Sequence, residues 1–287
     1  MTADAEAPLA LPPRPLDRQP RRLLPAGTID CHFHVFRDGA PLATPRNYTP
    51  TVATLDAWLA LGAAVGIDGG VVVQPSVYGF DNRVVVETLR RAPGKLRGIA
   101  VLRSDTPDAE LRELDSAGVR GVRCNTRNPG GMTLDDAKAL AARVARFGWV
   151  LQFQVRTEQL ESIAAMGPGL GLPVIIDHLG LTALGPTERD TSLRQLRSLL
   201  DSGVAYVKIS ATYRLDATPD DIGIAVGELA RSHPDRLIWG TDWPHTELWD
   251  NVPSDADLVD DVADWIPDEA VRRMILVDTP RTLFFRP

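Results

Sequence analysis

The chain has 287 residues, and its 31 lysine and arginine residues against 38 aspartate and glutamate residues give a net charge of −7. This acidic balance argues against nucleic-acid binding and against adsorption to an anionic membrane surface. No stretch approaches about 18 consecutive apolar residues, so we expect no transmembrane helix, and the two cysteines, Cys31 and Cys124, are typical of a reducing cytoplasmic compartment.

The first 27 residues are rich in proline. Six prolines, at positions 8, 12, 13, 15, 20 and 25, stand among scattered arginines. That composition is typical of an extended segment and not of a packed domain. We therefore predict an N-terminal arm over residues 1–27 and a single catalytic domain over residues 28–287.

Strand-like and helix-like segments alternate along the rest of the chain. Several of the strand-like segments are continuous runs of valine and isoleucine, which is typical of strands buried on both faces. The eight predicted strands lie at 28–36, 69–76, 96–102, 119–125, 149–155, 173–178, 204–210 and 236–242. Helical signals between them include a segment near 52–65, a capping-box start at Thr133, and leucines at 193, 196, 199 and 200. The alternation predicts an α/β fold, a distorted (β/α)8 TIM barrel.

Four polar residues follow or end predicted strands, where a TIM barrel has its active site. His32 and His34 lie two residues apart on the first strand, so their side chains share a face. His178 ends the sixth strand, and Asp242 ends the eighth. A single histidine at a strand end is more often a hydrogen-bonded structural residue. The four together are interpreted as one catalytic site.

Three arginines indicate the charge of the substrate. Arg123 and Arg127 lie in and after the fourth strand, and Arg214 follows the seventh. A guanidinium group matches a carboxylate with two parallel hydrogen bonds, so we expect a small anionic substrate. Tyr48 and Ser76 could donate further hydrogen bonds to it, and each could equally serve a local partner in its loop.

These residues carry a resemblance to a known family. The segments His32-Phe-His34, Asp177-His178-Leu-Gly180 and Gly240-Thr-Asp-Trp-Pro-His245 resemble the amidohydrolase-related (amidohydrolase 2) family of the amidohydrolase superfamily, over about residues 28–285. Finer features are similar to its lactonase group, typified by 2-pyrone-4,6-dicarboxylate lactonase; they are Tyr48, Gln74-Pro-Ser76, Arg123, Arg127 and Tyr213-Arg214.

The resemblance implies a hydrolase that opens a carboxylated lactone, either 2-pyrone-4,6-dicarboxylate-like or derived from a sugar acid. In that reading Asp242 activates water and later protonates the leaving oxygen. The three histidines donate hydrogen bonds to the lactone carbonyl. The arginines hold the substrate carboxylates.

The same positions bear on metal binding. Metal-rich amidohydrolases carry a lysine or glutamate on strand four and a histidine on strand five, whereas this chain has Arg123 on strand four and glutamines at 152 and 154. A guanidinium cannot ligate a cation and repels one nearby. No cofactor is therefore expected. A single zinc ion, if bound, would use His32, His34, His178 and Asp242.

Three alternatives stay open at this point. A metal-dependent decarboxylase of an aromatic or dienoic acid could use the same barrel and ligands. A lactone isomerase would share the carbonyl activation but use a substrate hydroxyl as the nucleophile. A non-catalytic ligand-binding barrel is disfavoured by the complete set of three histidines and one aspartate. A homo-oligomer is compatible with all of them.

Overall fold

The computed structural model describes residues 7–129 and 132–286. Within these residues, eight parallel strands pair in chain order to form a nearly closed barrel. The strands are β1 (Ile29–Phe33), β2 (Gly69–Val73), β3 (Leu96–Ala100), β4 (Val119–Asn125), β5 (Val150–Gln154), β6 (Val174–Ile176), β7 (Ala205–Ile209) and β8 (Leu237–Trp239). The predicted (β/α)8 TIM barrel is confirmed.

Helices surround the barrel and connect its strands. The α-helices of the described ranges are α1 (Leu55–Val65), α2 (Arg83–Arg91), α3 (Asp108–Ala117), α4 (Leu134–Ala145), α5 (Leu160–Met166), α6 (Arg189–Asp201), α7 (Pro219–Ser232), α8 (Asp255–Trp265), α9 (Glu269–Arg273) and α10 (Thr279–Phe284). The start of α4 is the predicted capping box, in which Thr133 and Asp136 bond each other's backbone N–H groups. The four leucines of α6 are buried, as their spacing predicted.

Asp30 joins the two strands that close the barrel. Its buried carboxylate accepts hydrogen bonds from the Thr241 hydroxyl at 2.7 Å and backbone N–H at 2.9 Å, and from the Trp58 indole at 3.0 Å. Burial raises the Asp30 pKa to about 6, although these hydrogen bonds oppose the shift. Beyond β8, backbone bonds run from Asp242 N–H to the His32 carbonyl and from His34 N–H to the Trp243 carbonyl. The ends of the first and last strands are therefore fixed side by side.

The N-terminal arm, described from residue 7, lies against the barrel's loops and one helix. The backbone N–H of Ala10 donates to the Thr49 carbonyl at 2.9 Å. Further along, Arg18 makes an ion pair with Asp260 of α8 at 2.8 Å. None of the described helices is long and apolar enough to cross a membrane.

Candidate active site

The four predicted catalytic residues converge at the carboxyl end of the barrel. The Nε2 atoms of His32, His34 and His178 lie 3.5, 4.0 and 3.9 Å from the same oxygen, Asp242 Oδ1. All four side chains are at most 4% exposed. His178 and Asp242 have φ angles of 55° and 63°, in the left-handed region that non-glycine residues rarely adopt. This backbone conformation directs their side chains toward the cluster.

Hydrogen bonds on the far side of each ring determine what its Nε2 can do. His34 Nδ1 lies 2.7 Å from the Val73 carbonyl, which can only accept, so the neutral ring carries its proton on Nδ1 and presents a lone pair from Nε2. His178 Nδ1 faces the Ser210 hydroxyl at 2.8 Å, and a hydroxyl can donate or accept. Burial, with Arg123 adding to the effect for His34, lowers the pKa of both His34 and His178 to about 4. Both rings are therefore neutral at pH 7.

Asp242 is held through its other oxygen. Tyr213 donates its hydroxyl to Oδ2 at 2.6 Å, and the Arg214 guanidinium lies 3.4 Å from the same atom. Burial alone would raise the Asp242 pKa, but the His178 ring, the Arg214 guanidinium and the other neighbours hold it well below its usual range. Oδ1 is therefore left as an ionised acceptor that faces the histidines.

A second row of residues supports Tyr213. His245 Nδ1 lies 3.2 Å from the Tyr213 hydroxyl, and His245 Nε2 lies 3.2 Å from Asp255 Oδ1 in the first turn of α8. Burial, together with the nearby Asp242 carboxylate, raises the Tyr213 pKa well above its usual value, so the phenol stays protonated as a donor. Sequence reasoning named Tyr213 only as part of a motif and did not include it among the site residues.

A buried ionic network lies behind His32. Asp177 Oδ1 is 2.9 Å from Lys208 Nζ, and Asp177 Oδ2 is 3.0 Å from the Gln152 amide and 3.4 Å from Arg123 Nε. Lys208 Nζ is also 3.1 Å from His32 Nδ1. Lys208 was missed from the sequence. The signal was a single lysine in an otherwise apolar strand, Ala205-Tyr-Val-Lys-Ile209, where a charge must be paired.

The cavity next to Asp242 holds about 20 Å³, which is room for about one water molecule. Its walls include the predicted substrate residues Tyr48, Ser76, Arg123 and Arg214. Arg127 is exposed and is not among the residues that line this cavity.

Three loops meet over the cavity. The Asn128 amide, in the loop after β4, donates to the Ser76 hydroxyl at 3.1 Å and to the Glu247 carboxylate at 2.7 Å. Ser76 follows β2 and Glu247 follows β8, so one side chain ties the roof of the site together. Neither Asn128 nor Glu247 was identified from the sequence.

Some of these side chains also have the spacing of a metal-binding site. In the described ranges, ligand atoms of His32, His34 and Asp242 lie within 4.8 Å of one another, as do those of His32, Asp177 and His178. Spacing alone would therefore permit a metal ion. The charges oppose it, because Lys208 approaches the far nitrogen of His32 and Arg214 the far oxygen of Asp242.

The chain is similar to known proteins in sequence and in fold. The amidohydrolase family model matches residues 29–286. A 4-sulfomuconolactone hydrolase from Rhizobium radiobacter is 34% identical over 91% of both chains, and a 2-pyrone-4,6-dicarboxylate hydrolase from Comamonas testosteroni is 33% identical over 93% of both. A crystal structure of a probable 2-pyrone-4,6-dicarboxylic acid hydrolase from Acinetobacter baumannii, with citric acid bound, is 28% identical, with a TM-score of 0.80 over 91% of this chain and 100% of that one. The chain therefore belongs to the amidohydrolase family of hydrolases.

Proposed function

We propose that this protein hydrolyses a small lactone that carries carboxylate or similar anionic groups. The observation that carries the proposal is the ionised Asp242 Oδ1 facing three imidazole Nε2 atoms, in a cavity that also contains the guanidinium groups of Arg123 and Arg214. The two curated relatives described above act on lactones whose names include a sulfonate or two carboxylates. The sequence identity of this chain to both relatives supports the same substrate class for this protein.

The water that attacks the ring is placed by two acceptors. Asp242 Oδ1 and His34 Nε2 are 4.0 Å apart, and both present lone pairs. A water molecule between them donates both of its hydrogens and keeps an oxygen lone pair for the carbonyl carbon. Asp242 takes one proton as this water attacks, and then returns it to the ring oxygen that leaves.

The carbonyl oxygen needs donors as negative charge develops on it. His32 Nε2 is buried and has no hydrogen-bond partner in the part of the chain that the structure describes, so it is the donor we assign. His178 can join it through the tautomer that Ser210 permits. In this proposal His34 accepts and does not donate, unlike the role that the resemblance implied for it. No metal ion takes part.

Arg123 and Arg214 bind the substrate's anionic groups, with Tyr48 and Ser76 as further donors. A lactone ring is larger than the present cavity, so its entry separates the bonds that Asn128 makes across the roof. Arg127, in the same loop as Asn128, then contacts a carboxylate at the mouth of the site.

A lactone screen with metal-analysed enzyme tests the function. We expect carboxylated lactones to be opened and their methyl esters to react far more slowly, because the esters lose the charge that the arginines bind. In H₂¹⁸O a hydrolase places one ¹⁸O in the newly formed carboxylate. A rearranged lactone without label would indicate an isomerase, release of CO₂ would indicate a decarboxylase, and either result would overturn the proposal.

A further inference from the structure

Lys208 differs from the other lysines of this chain. The sequence has three, and Lys95 and Lys138 are exposed whereas Lys208 is 0% exposed in the middle of the barrel. A fully buried lysine is rare because its charge must be compensated. Asp177, at 2.9 Å from Lys208 Nζ, supplies that compensation. Lys208 Nζ also contacts the candidate active site.

That contact is with His32 Nδ1, at 3.1 Å. An ammonium group has three donors and no acceptor. His32 Nδ1 must therefore accept, which leaves the proton of the neutral ring on Nε2. The opposite tautomer would place an N–H against the ammonium, and the acceptor it could use instead, Asp177 Oδ1, is 3.5 Å away. Burial, followed by the Lys208 charge, holds the His32 pKa well below its usual value, so a doubly protonated ring does not form at neutral pH.

We propose that Lys208 is a positioning residue, which holds His32 in the Nε2–H tautomer and makes the cluster a hydrogen-bond donor site and not a cation site. A metal ligand must offer a lone pair from the coordinating nitrogen. Because Lys208 keeps the proton of His32 on Nε2, this nitrogen has no lone pair for a metal ion. The Lys208 ammonium also places a positive charge next to the Nδ1 side of the ring. His34 is held by the Val73 carbonyl in the opposite tautomer, so adjacent histidines present one donor and one acceptor to the same space.

The tautomer and the metal affinity do not depend on the proposed reaction, but the catalytic role of the donor rests on it. The two can therefore fail separately. A lactone screen without products would remove the proposed function and leave the tautomer assignment standing. A wrong tautomer would remove this inference and leave hydrolysis to be decided by its products.

The first test is ¹⁵N NMR of the wild-type protein labelled at histidine, with long-range ¹H–¹⁵N correlations that report the protonated nitrogen of each ring. The chain has five histidines, and a His32→Gln variant assigns the His32 signals by their loss. We expect protonated Nε2 in His32 and protonated Nδ1 in His34. Protonated Nδ1 in wild-type His32 would overturn the proposal without any further variant.

The second test compares Lys208→Met with Lys138→Met, which removes the same charge from the surface of α4. In Lys208→Met, Asp177 keeps its contacts with Arg123 and Gln152 and becomes free to accept from His32 Nδ1–H. We expect His32 to change tautomer and zinc to bind at least tenfold more tightly, measured by competition with a chelating indicator.

Activity supplies a third readout, in which Lys208→Met lowers kcat at least tenfold with KM changed less than threefold. Lys138→Met should match wild type in every measurement. Lys208→Arg keeps a cationic donor and should keep the wild-type tautomer and weak zinc binding. A folded Lys208→Met protein with unchanged tautomer and zinc affinity would overturn the proposal. Should that variant not fold, the wild-type NMR spectrum and Lys208→Arg decide.

Discussion

Replacing Asp242 by asparagine should separate chemistry from binding. The amide has nearly the same shape but cannot take a proton from water, and loss of a general base costs about 10²–10⁴-fold in rate. The substitution also removes one negative charge beside Arg214, which lies 3.4 Å from Asp242 Oδ2. An anionic ligand is then attracted at least as strongly as before. We expect kcat to fall by about 10²–10⁴-fold, with binding of the anion unchanged or tighter.

The assay pairs initial rates on the best carboxylated lactone with calorimetric titration of an unreactive acyclic dicarboxylate. Asp250→Asn serves as the control, because Asp250 is exposed and lies in the same loop after β8. A variant of Asp242 that keeps more than about a tenth of wild-type kcat would refute its role as the base. A parallel loss of dicarboxylate affinity would show instead that the substitution had disturbed the cavity.

Three further predictions follow from the geometry. Arg214→Met should raise KM by roughly 10- to 100-fold, which corresponds to the loss of a hydrogen bond between charged groups. Arg127 is exposed and its charge is screened by water, so Arg127→Met should raise KM by less. Equal effects of the two substitutions on KM would contradict this order. The rate should be level above about pH 5 and fall as pH drops through about 4, since His34 has a pKa of about 4 and on protonation loses the lone pair that accepts from the attacking water; a limb near the ordinary histidine pKa, in protein shown to stay folded by circular dichroism, would contradict it. Exhaustive chelation should leave activity intact, whereas loss on chelation with recovery on adding one equivalent of zinc would overturn the metal-free mechanism.

The barrel was predictable because several of its strands, such as β2 and β6, are continuous apolar runs that are buried on both faces. All eight predicted strands are present, but several of the predicted ranges are longer than the observed strands. The last was predicted over 236–242 and is observed over Leu237–Trp239. The chain leaves this strand at Gly240 and turns through Asp242, which has a φ of 63°. The segment after the eighth strand is held by backbone bonds with the first strand, such as Asp242 N–H to the His32 carbonyl, and a local sequence pattern does not contain such contacts.

The meeting of the three histidines and Asp242 was also predictable, because spacing and barrel geometry place these candidate catalytic residues at one end. Their support was not. Lys208 is one polar residue in a short strand, and alternation alone would point it to solvent or to the interior equally well. Its partner, Asp177, was seen only as the neighbour of His178. Arg127 was predicted as a substrate-binding residue, but the direction of its side chain was not predictable, because it depends on how the loop folds.

The hydrogen bonds between Asp30 and Thr241 have a consequence for how this enzyme folds during synthesis. The two residues are 211 positions apart, and the Asp30 carboxylate that joins them also accepts from the His32 backbone N–H at 3.0 Å. Contacts of such long separation form late and slowly. A nascent chain that lacks the eighth strand can have neither a closed barrel nor Asp242 beside its histidines. Assembly of the proposed catalytic centre therefore requires closure of the barrel, and we expect partly synthesised chains to be inactive.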